Sequence, residues 1–354
     1  MFNRSAPLFI KPRLDPALVW WLWDFHRHCN QAWLDRCMDS LCQMGFPSLA
    51  LFEQIMADES IACDYQRDGW LDVVLSQRAL GHAEAEAAAL VKHGYQHQVL
   101  TGDELRARSP CFGSNVAGAV LHQDSAHCHP GEFTHGLAAA CSRRGVDIRT
   151  GTAVDGIAVA RTGGLGGALL SSGETVEGTE VVIAAGVWSG RFNAQLGLDI
   201  PLQAARGYHV QYDGLEHLPF TGCVLNERCV AVTPMNGQLR LAGTLEIQPP
   251  GQPWMRNRLD MLTRGASEYL TGLDQGKVVG EWAGYRPCTS DGMPVVGAAP
   301  GMRGLYVATG HAMMGMTLGP VTGRALADLI LGLTPSIDMS LLQPARYSTG
   351  GGSG

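Results

Sequence analysis

Two short apolar runs, each closed by glycine, constrain this chain more than any other feature. Val181-Val-Ile-Ala-Ala-Gly186 and Leu305-Tyr-Val-Ala-Thr-Gly310 show no polar alternation. Both of their faces must be buried, which is how central strands of a parallel sheet read, with a ligand site at their carboxyl ends. After Gly310 come a glycine-containing loop through Gly315 and a helical pattern from about Pro320 to Leu331. Unpaired N–H groups at the start of such a helix form a site for negative charge. Glycine supplies 45 of 354 residues, nearly twice the roughly 7% of an average protein. An excess of that size in an α/β chain points to backbone approaching a ligand closely.

Composition removes several function classes. Only 17% of residues are charged, too few for a disordered chain. A formal charge of −7 with no basic block argues against nucleic acid as a partner. The ten cysteines include no C-x-x-C pair, so they read as reduced thiols of a cytoplasmic protein. No apolar run reaches 18 residues, and nothing reads as a signal peptide. The segment Ala17-Leu-Val-Trp-Trp-Leu-Trp23, with Trp33 beyond it, holds four of the eight tryptophans. It reads either as a helix packed on the core or as a peripheral contact with the inner face of the cell membrane.

The pattern along the chain predicts helices joined by polar loops up to residue 125, with a strand at 71–75 and a surface helix over 79–94. A capping box is expected at Thr101 and Glu104. Pro130 opens a helix carrying Phe133, Leu137 and Cys141, and Gly145 closes it. A strand is then expected from 146–150 on through Val159. The cluster Gly163-Gly-Leu-Gly-Gly167 reads as a hairpin turn, since no helix follows it. Residues 206–212, 224–232 and 238–242 read as strands of a second sheet. His122, His127, Cys128 and His129 fit no standard metal spacing, so no metal is expected. A tail Gly350-Gly-Gly-Ser-Gly354 reads as a flexible linker.

Four segments carry a family resemblance. Trp282-Ala-Gly-Tyr-Arg-Pro-Cys-Thr-Ser-Asp-Gly-Met-Pro-Val-Val-Gly297 and Gly304-Leu-Tyr-Val-Ala-Thr-Gly-His-Ala-Met-Met-Gly-Met-Thr-Leu-Gly-Pro320 are the longest. With Ala184-Ala-Gly-Val-Trp-Ser-Gly190 and Arg206-Gly-Tyr-His209, they resemble the FAD-dependent D-amino-acid oxidase superfamily, and most of all its bacterial D-amino-acid dehydrogenase small-subunit branch. The resemblance implies a mixed α/β fold with an FAD-binding Rossmann-like domain and a substrate domain built on a mixed or antiparallel sheet. It implies FAD as cofactor, a D-amino acid as substrate, and a quinone or other electron carrier as acceptor. Hydride would pass from Cα to flavin N5, and the imino acid would hydrolyse to a 2-oxo acid and ammonia. Arg286 matches the arginine that holds the substrate carboxylate, a task suited to a planar guanidinium; the alternative is an ion pair with Asp291 or a neighbour. Tyr208 either bonds that carboxylate or sits in the core. Val154 matches a position at the adenine end of FAD. Ala185, Gly186 and Trp188 would lie along the cofactor, and Gly310, His311, Met313, Gly315, Met316 and Thr317 would wrap its ring. Relatives of the glycine-oxidase type place an arginine where Met313 stands, leaving Met313, Met314 and Met316 as an apolar lining or as ordinary packing. Cys288 reads as an ordinary thiol rather than a covalent flavin link.

One family feature is missing: no strand–G-x-G-x-x-G–helix occurs anywhere in the sequence. The expectation is an incomplete cofactor domain, through truncation, deletion or a split protein in which a partner chain supplies the segment. The domain assignment that follows is 1–125 (substrate domain, first part and helices), 126–200 (FAD-binding part), 201–280 (substrate sheet), 281–345 (FAD-binding, C-terminal part) and 346–354 (flexible tail). Two other functions stay open: an inactive remnant or assembly subunit, and an oxidase of glycine- or sarcosine-type amines.

Overall fold

The computed structural model describes residues 6–348. The chain forms two compact units; among the described residues the first comprises 6–12, 59–139 and 206–284, the second 13–58, 140–205 and 285–348. Residues 13–58 thus leave the 1–125 block to which the sequence assigns them. They form two helices, Pro16–His28 and Gln31–Glu59. Cys37 and Met44 on the second pack with Met293, Val296, Leu318 and Val321. An apolar helical stripe shows that a helix is buried, not which core receives it. Asp15 caps the first of these helices by accepting from the N–H groups of Ala17 and Leu18, and Pro16 opens it. Among the described residues no helix is long and apolar enough to cross a membrane.

The first unit is built on a nine-stranded mixed sheet. Its order is Lys277–Cys288, Gln203–Asp213, Gln238–Ile247, Val230–Met235, Cys223–Leu225, Trp70–Val74, Gly118–His122 and His97–Thr101, with Leu8–Ile10 pairing in parallel with Gln238–Ile247. Leu71, Leu121, Val232 and Leu241 from these strands pack with Leu259 and Leu262 of the helix Asn257–Ser267. The strand expected over 224–232 is two antiparallel strands instead. Asn226–Arg228 makes a single tight turn between them, and Cys229 closes it in the left-handed region at φ +52°. The capping box at Thr101 and Glu104 forms as expected.

The second unit holds two three-stranded sheets. In one, Val295–Ala298 runs antiparallel to Leu305–Thr309, which pairs in parallel with Val181–Ile183. The other orders Val154–Val159, Leu165–Leu170 and Thr175–Glu177, with the expected hairpin at the glycine cluster. Ile157, Ile183, Val295, Leu305 and Val307 share one core. Three expectations need correction here. Val181–Ile183 is an edge strand rather than a central one, because apolar character on both faces does not determine what pairs with its edges. Residues 146–150 join no strand, and Val146 and Ile148 are exposed. The last helix spans Gly315–Ile330, starting five residues before Pro320, which therefore lies inside the helix and leaves the Met316 carbonyl without its intrahelical N–H donor. In addition, residues 346–348 are no loose tail: Asp291 takes the Arg346 guanidinium at 2.8 Å, and the Asp199 N–H donates to the Tyr347 carbonyl at 2.9 Å. The rest of that tail, 349–354, lies outside the described residues.

Candidate active site

The carboxyl ends of two parallel strands, Val181–Ile183 and Leu305–Thr309, bring most of the expected cofactor residues together. Thr309 ends its strand by donating its hydroxyl to the Gly186 carbonyl at 2.8 Å, which ties the two glycine loops to each other. Gly310 then turns at φ +78°, and a Cβ there would stand 2.7 Å from Thr289 Cγ2. Only glycine satisfies both conditions. His311 faces inward and shares a hydrogen bond at 3.0 Å between Nε2 and the Thr322 hydroxyl. Burial pushes its pKa down to about 4, so the ring is neutral at physiological pH. Ala312 sits in the left-handed region at φ +44° and donates its N–H to the Pro287 carbonyl at 3.0 Å.

This turn delivers the start of the helix Gly315–Ile330 with no side-chain cap. Its first N–H groups therefore lack intrahelical partners. Met313, Met314 and Met316 are exposed around it, Met313 at 68%, so they are not ordinary core packing. Ser48 fixes the same turn by donating its hydroxyl to the Thr317 carbonyl at 2.5 Å. On the other strand, Gly186 has a left-handed φ of +56° and open space where a Cβ would be. Ser189, fully buried, keeps a hydroxyl without a hydrogen-bond partner. Trp188 is half exposed and meets Tyr285 edge-on at 6.3 Å. An uncapped helix start, an open glycine turn at Gly186 and an orphaned buried hydroxyl suit the ring end of a flavin. For its diphosphate, by contrast, no strand–G-x-G-x-x-G–helix is present among the described residues.

Arg286 stands near the end of the strand Lys277–Cys288 and is partly buried. Burial draws its pKa below the usual arginine value, with the guanidinium still charged. The loop after it is clamped from several sides. Trp21 Nε1 donates to the Cys288 carbonyl at 3.1 Å, Trp33 Nε1 to the Asp291 carbonyl at 2.8 Å, and Ser290 to Asp24 at 2.5 Å. Asp291, the alternative partner for Arg286, is taken by Arg346. Burial raises the Cys288 thiol to about 11, so it is protonated and a poor nucleophile.

The other expected residues lie elsewhere. Val154 starts a strand of the second sheet and packs on the core shared by Ile157 and Ile183. Tyr208 belongs to the first unit and is 1% exposed, with its hydroxyl donated to Glu246 at 2.5 Å. Sequence reasoning missed Thr309, Ser48 and Arg346, whose roles come from partners remote in sequence; only the Arg346–Asp291 pairing of opposite charges left a readable trace. His122 pairs with Asp72 at 3.0 Å, and among the described residues no cluster could hold a metal ion.

The family model described as DAO, FAD dependent oxidoreductase, matches residues 20–329. A D-amino acid dehydrogenase of Cereibacter sphaeroides is 29% identical over 98% of this chain and 80% of its own length. One of Methylobacterium nodulans is 30% identical over 98% and 83%. Among solved structures, the glycine oxidase of Bacillus cereus has a TM-score of 0.76 at 25% identity, covering 82% of this chain and 80% of its own.

Proposed function

Since the chain belongs to the FAD-dependent oxidoreductase family of the DAO type, we propose that it oxidises a D-amino acid at the Cα–N bond and passes the electrons to a quinone-type acceptor. The imino acid formed would hydrolyse to a 2-oxo acid and ammonia. Bound flavin supplies a two-electron acceptor for the hydrogen on Cα. The residues that would hold it are Gly186, Ser189, Gly310 and the free N–H groups at Gly315, Met316 and Thr317. Its diphosphate would be cradled by a strand–G-x-G-x-x-G–helix that these 354 residues do not contain and that a partner chain would supply.

The observation that carries this reading is Arg286. It is a charged, partly buried guanidinium near the end of the strand Lys277–Cys288, just before a clamped loop whose Asp291 is paired with Arg346. In this reading Arg286 takes the substrate carboxylate with two parallel N–H donors and fixes the orientation of Cα. Neutral His311 holds no charge that would compete with the substrate, and the exposed methionines give the side chain an adaptable apolar lining. The helix Pro16–His28 presents Trp20 and Trp23, with Arg27 stacked 4.7 Å over the Trp23 ring. That face suits an anionic membrane surface, where a quinone is held.

The test is anaerobic reduction of the flavin-loaded protein by D- and L-amino acids, followed by dye-coupled turnover. Bleaching by the D-enantiomers alone is expected. Two charge-assisted hydrogen bonds at about 1.5–3 kcal/mol each make Arg286→Leu at least ~100-fold weaker in kcat/KM, chiefly through KM. A flavin-loaded protein that no D-amino acid bleaches would overturn the reading.

A further inference from the structure

We infer that the first unit carries a second amino-acid site, one that takes no part in the oxidation and does not depend on it. A cavity of about 470 Å³ opens beside the end of the strand Gln238–Ile247, lined by Phe9, Lys11, Glu246, Gln248, Trp254 and Met255. Its size falls within the roughly 300–1,000 Å³ of small-molecule sites. All of its lining residues belong to the first unit, whereas Arg286 belongs to the second.

The cavity is framed by the motif Arg206-Gly-Tyr-His209. Arg206, itself buried, donates to the Pro253 carbonyl at 2.9 Å and to the Gln252 carbonyl at 2.7 Å, which holds the outer wall in place. The Tyr208 hydroxyl donates to Glu246 Oε2 at 2.5 Å and accepts the Met255 N–H at 3.3 Å. Tyr208 is therefore a strut of this cavity. One oxygen of Glu246 is thus committed. The other, Oε1, is buried without a partner, and two residues on, Gln248 Nε2 is a buried donor without an acceptor. Glu246 is fully buried and Gln248 is 2% exposed. Buried polar atoms are nearly always satisfied, so an unmatched acceptor and an unmatched donor on two residues lining one cavity call for a ligand that brings the complement of both.

Charge narrows the ligand further. The fully buried Arg258 guanidinium lies close enough to Glu246 to be stabilised by it, and donates to the Ala6 carbonyl at 2.7 Å. The carboxylate is therefore already balanced, and a simple cation would leave a net charge in the cavity. A zwitterion adds none. The ammonium of a free α-amino acid would donate to Glu246 Oε1, and its carboxylate would accept from Gln248 Nε2, with the Lys11 ammonium at the mouth. Its side chain would rest on Phe9, Trp254 and Met255, so an apolar side chain is preferred.

Equilibrium dialysis of labelled D- and L-leucine against the full-length Arg286→Leu variant tests this site apart from the proposed active site. One saturable site per chain is expected. Gln248→Leu or Glu246→Gln, added to that variant, should weaken binding at least tenfold. Isoamylamine and isocaproate, each lacking one of the two charges, should compete at least tenfold less well than leucine. Circular dichroism melts identify a misfolded variant; should Glu246→Gln misfold, Gln248→Leu decides. The inference is overturned by the absence of saturable binding, by binding that disappears with Arg286→Leu, by affinity unchanged in the cavity variants, or by isoamylamine binding as well as leucine.

Discussion

The neutral ring of His311 makes stability depend on pH in a calculable way. Burial lowers its pKa from 6.5 to about 4 in the folded protein. As pH falls below 6.5, the unfolded chain takes up a proton that the folded chain refuses, so stability is lost through the window from about 6.5 down to 4. At about 1.4 kcal/mol for each pH unit, the full loss is on the order of 3 kcal/mol, and ~2 kcal/mol of it has appeared by pH 5. His311→Gln removes the titrating group while keeping a side chain able to bond the Thr322 hydroxyl. Urea unfolding at pH 7.5 and pH 5.0, followed by tryptophan fluorescence, gives the free-energy difference for parent and variant. The parent should lose ~2 kcal/mol more than His311→Gln across that interval. A difference below about 0.5 kcal/mol, the scatter of ordinary surface substitutions, would refute the reasoning that burial holds this ring neutral.

Other perturbations separate the remaining parts of the site. Gly310→Ala combines a left-handed φ with a contact to Thr289; a loss of about 2–4 kcal/mol is expected, read as a lower Tm with weakened flavin retention. Arg346→Met leaves the Asp291 carboxylate buried and unpaired, at a cost of about 3 kcal/mol, measured by denaturant unfolding. A double change Trp20→Ala and Trp23→Ala removes the exposed aromatic face of the first helix and should abolish flotation of the protein with phosphatidylglycerol vesicles; unchanged flotation would remove that helix from the membrane-facing role.

Local signals were the legible ones. Thr101 and Glu104 satisfy each other across three residues, and the turn before Leu165 needs only its own glycines, so both were readable from the sequence. The glycine-ended strand and loop at 305–315 could be read for the same reason: the constraint sits in consecutive residues. What stayed illegible depends on partners remote in sequence. Whether residues 13–58 pack with Met293 and Leu318 or with the first unit is settled by shape complementarity that no stripe of apolar residues encodes. Residues 146–150 alternate like a strand, yet a strand exists only where a neighbour offers its edge. Tyr208 sits in a motif that reads equally as site or core, and Glu246, 38 residues away, is what gives its hydroxyl a place.

The open edge of Val181–Ile183 also has a consequence for the protein in concentrated solution. Its outer row of N–H and C=O groups meets no strand among the described residues, and such a row is a template on which strands of other molecules can add. Only three residues long and preceded by the charged Glu180, it offers few bonds to a newcomer, which keeps self-association weak and sensitive to ionic strength. Whatever strand eventually covers that edge would act as a solubility device as much as a structural one.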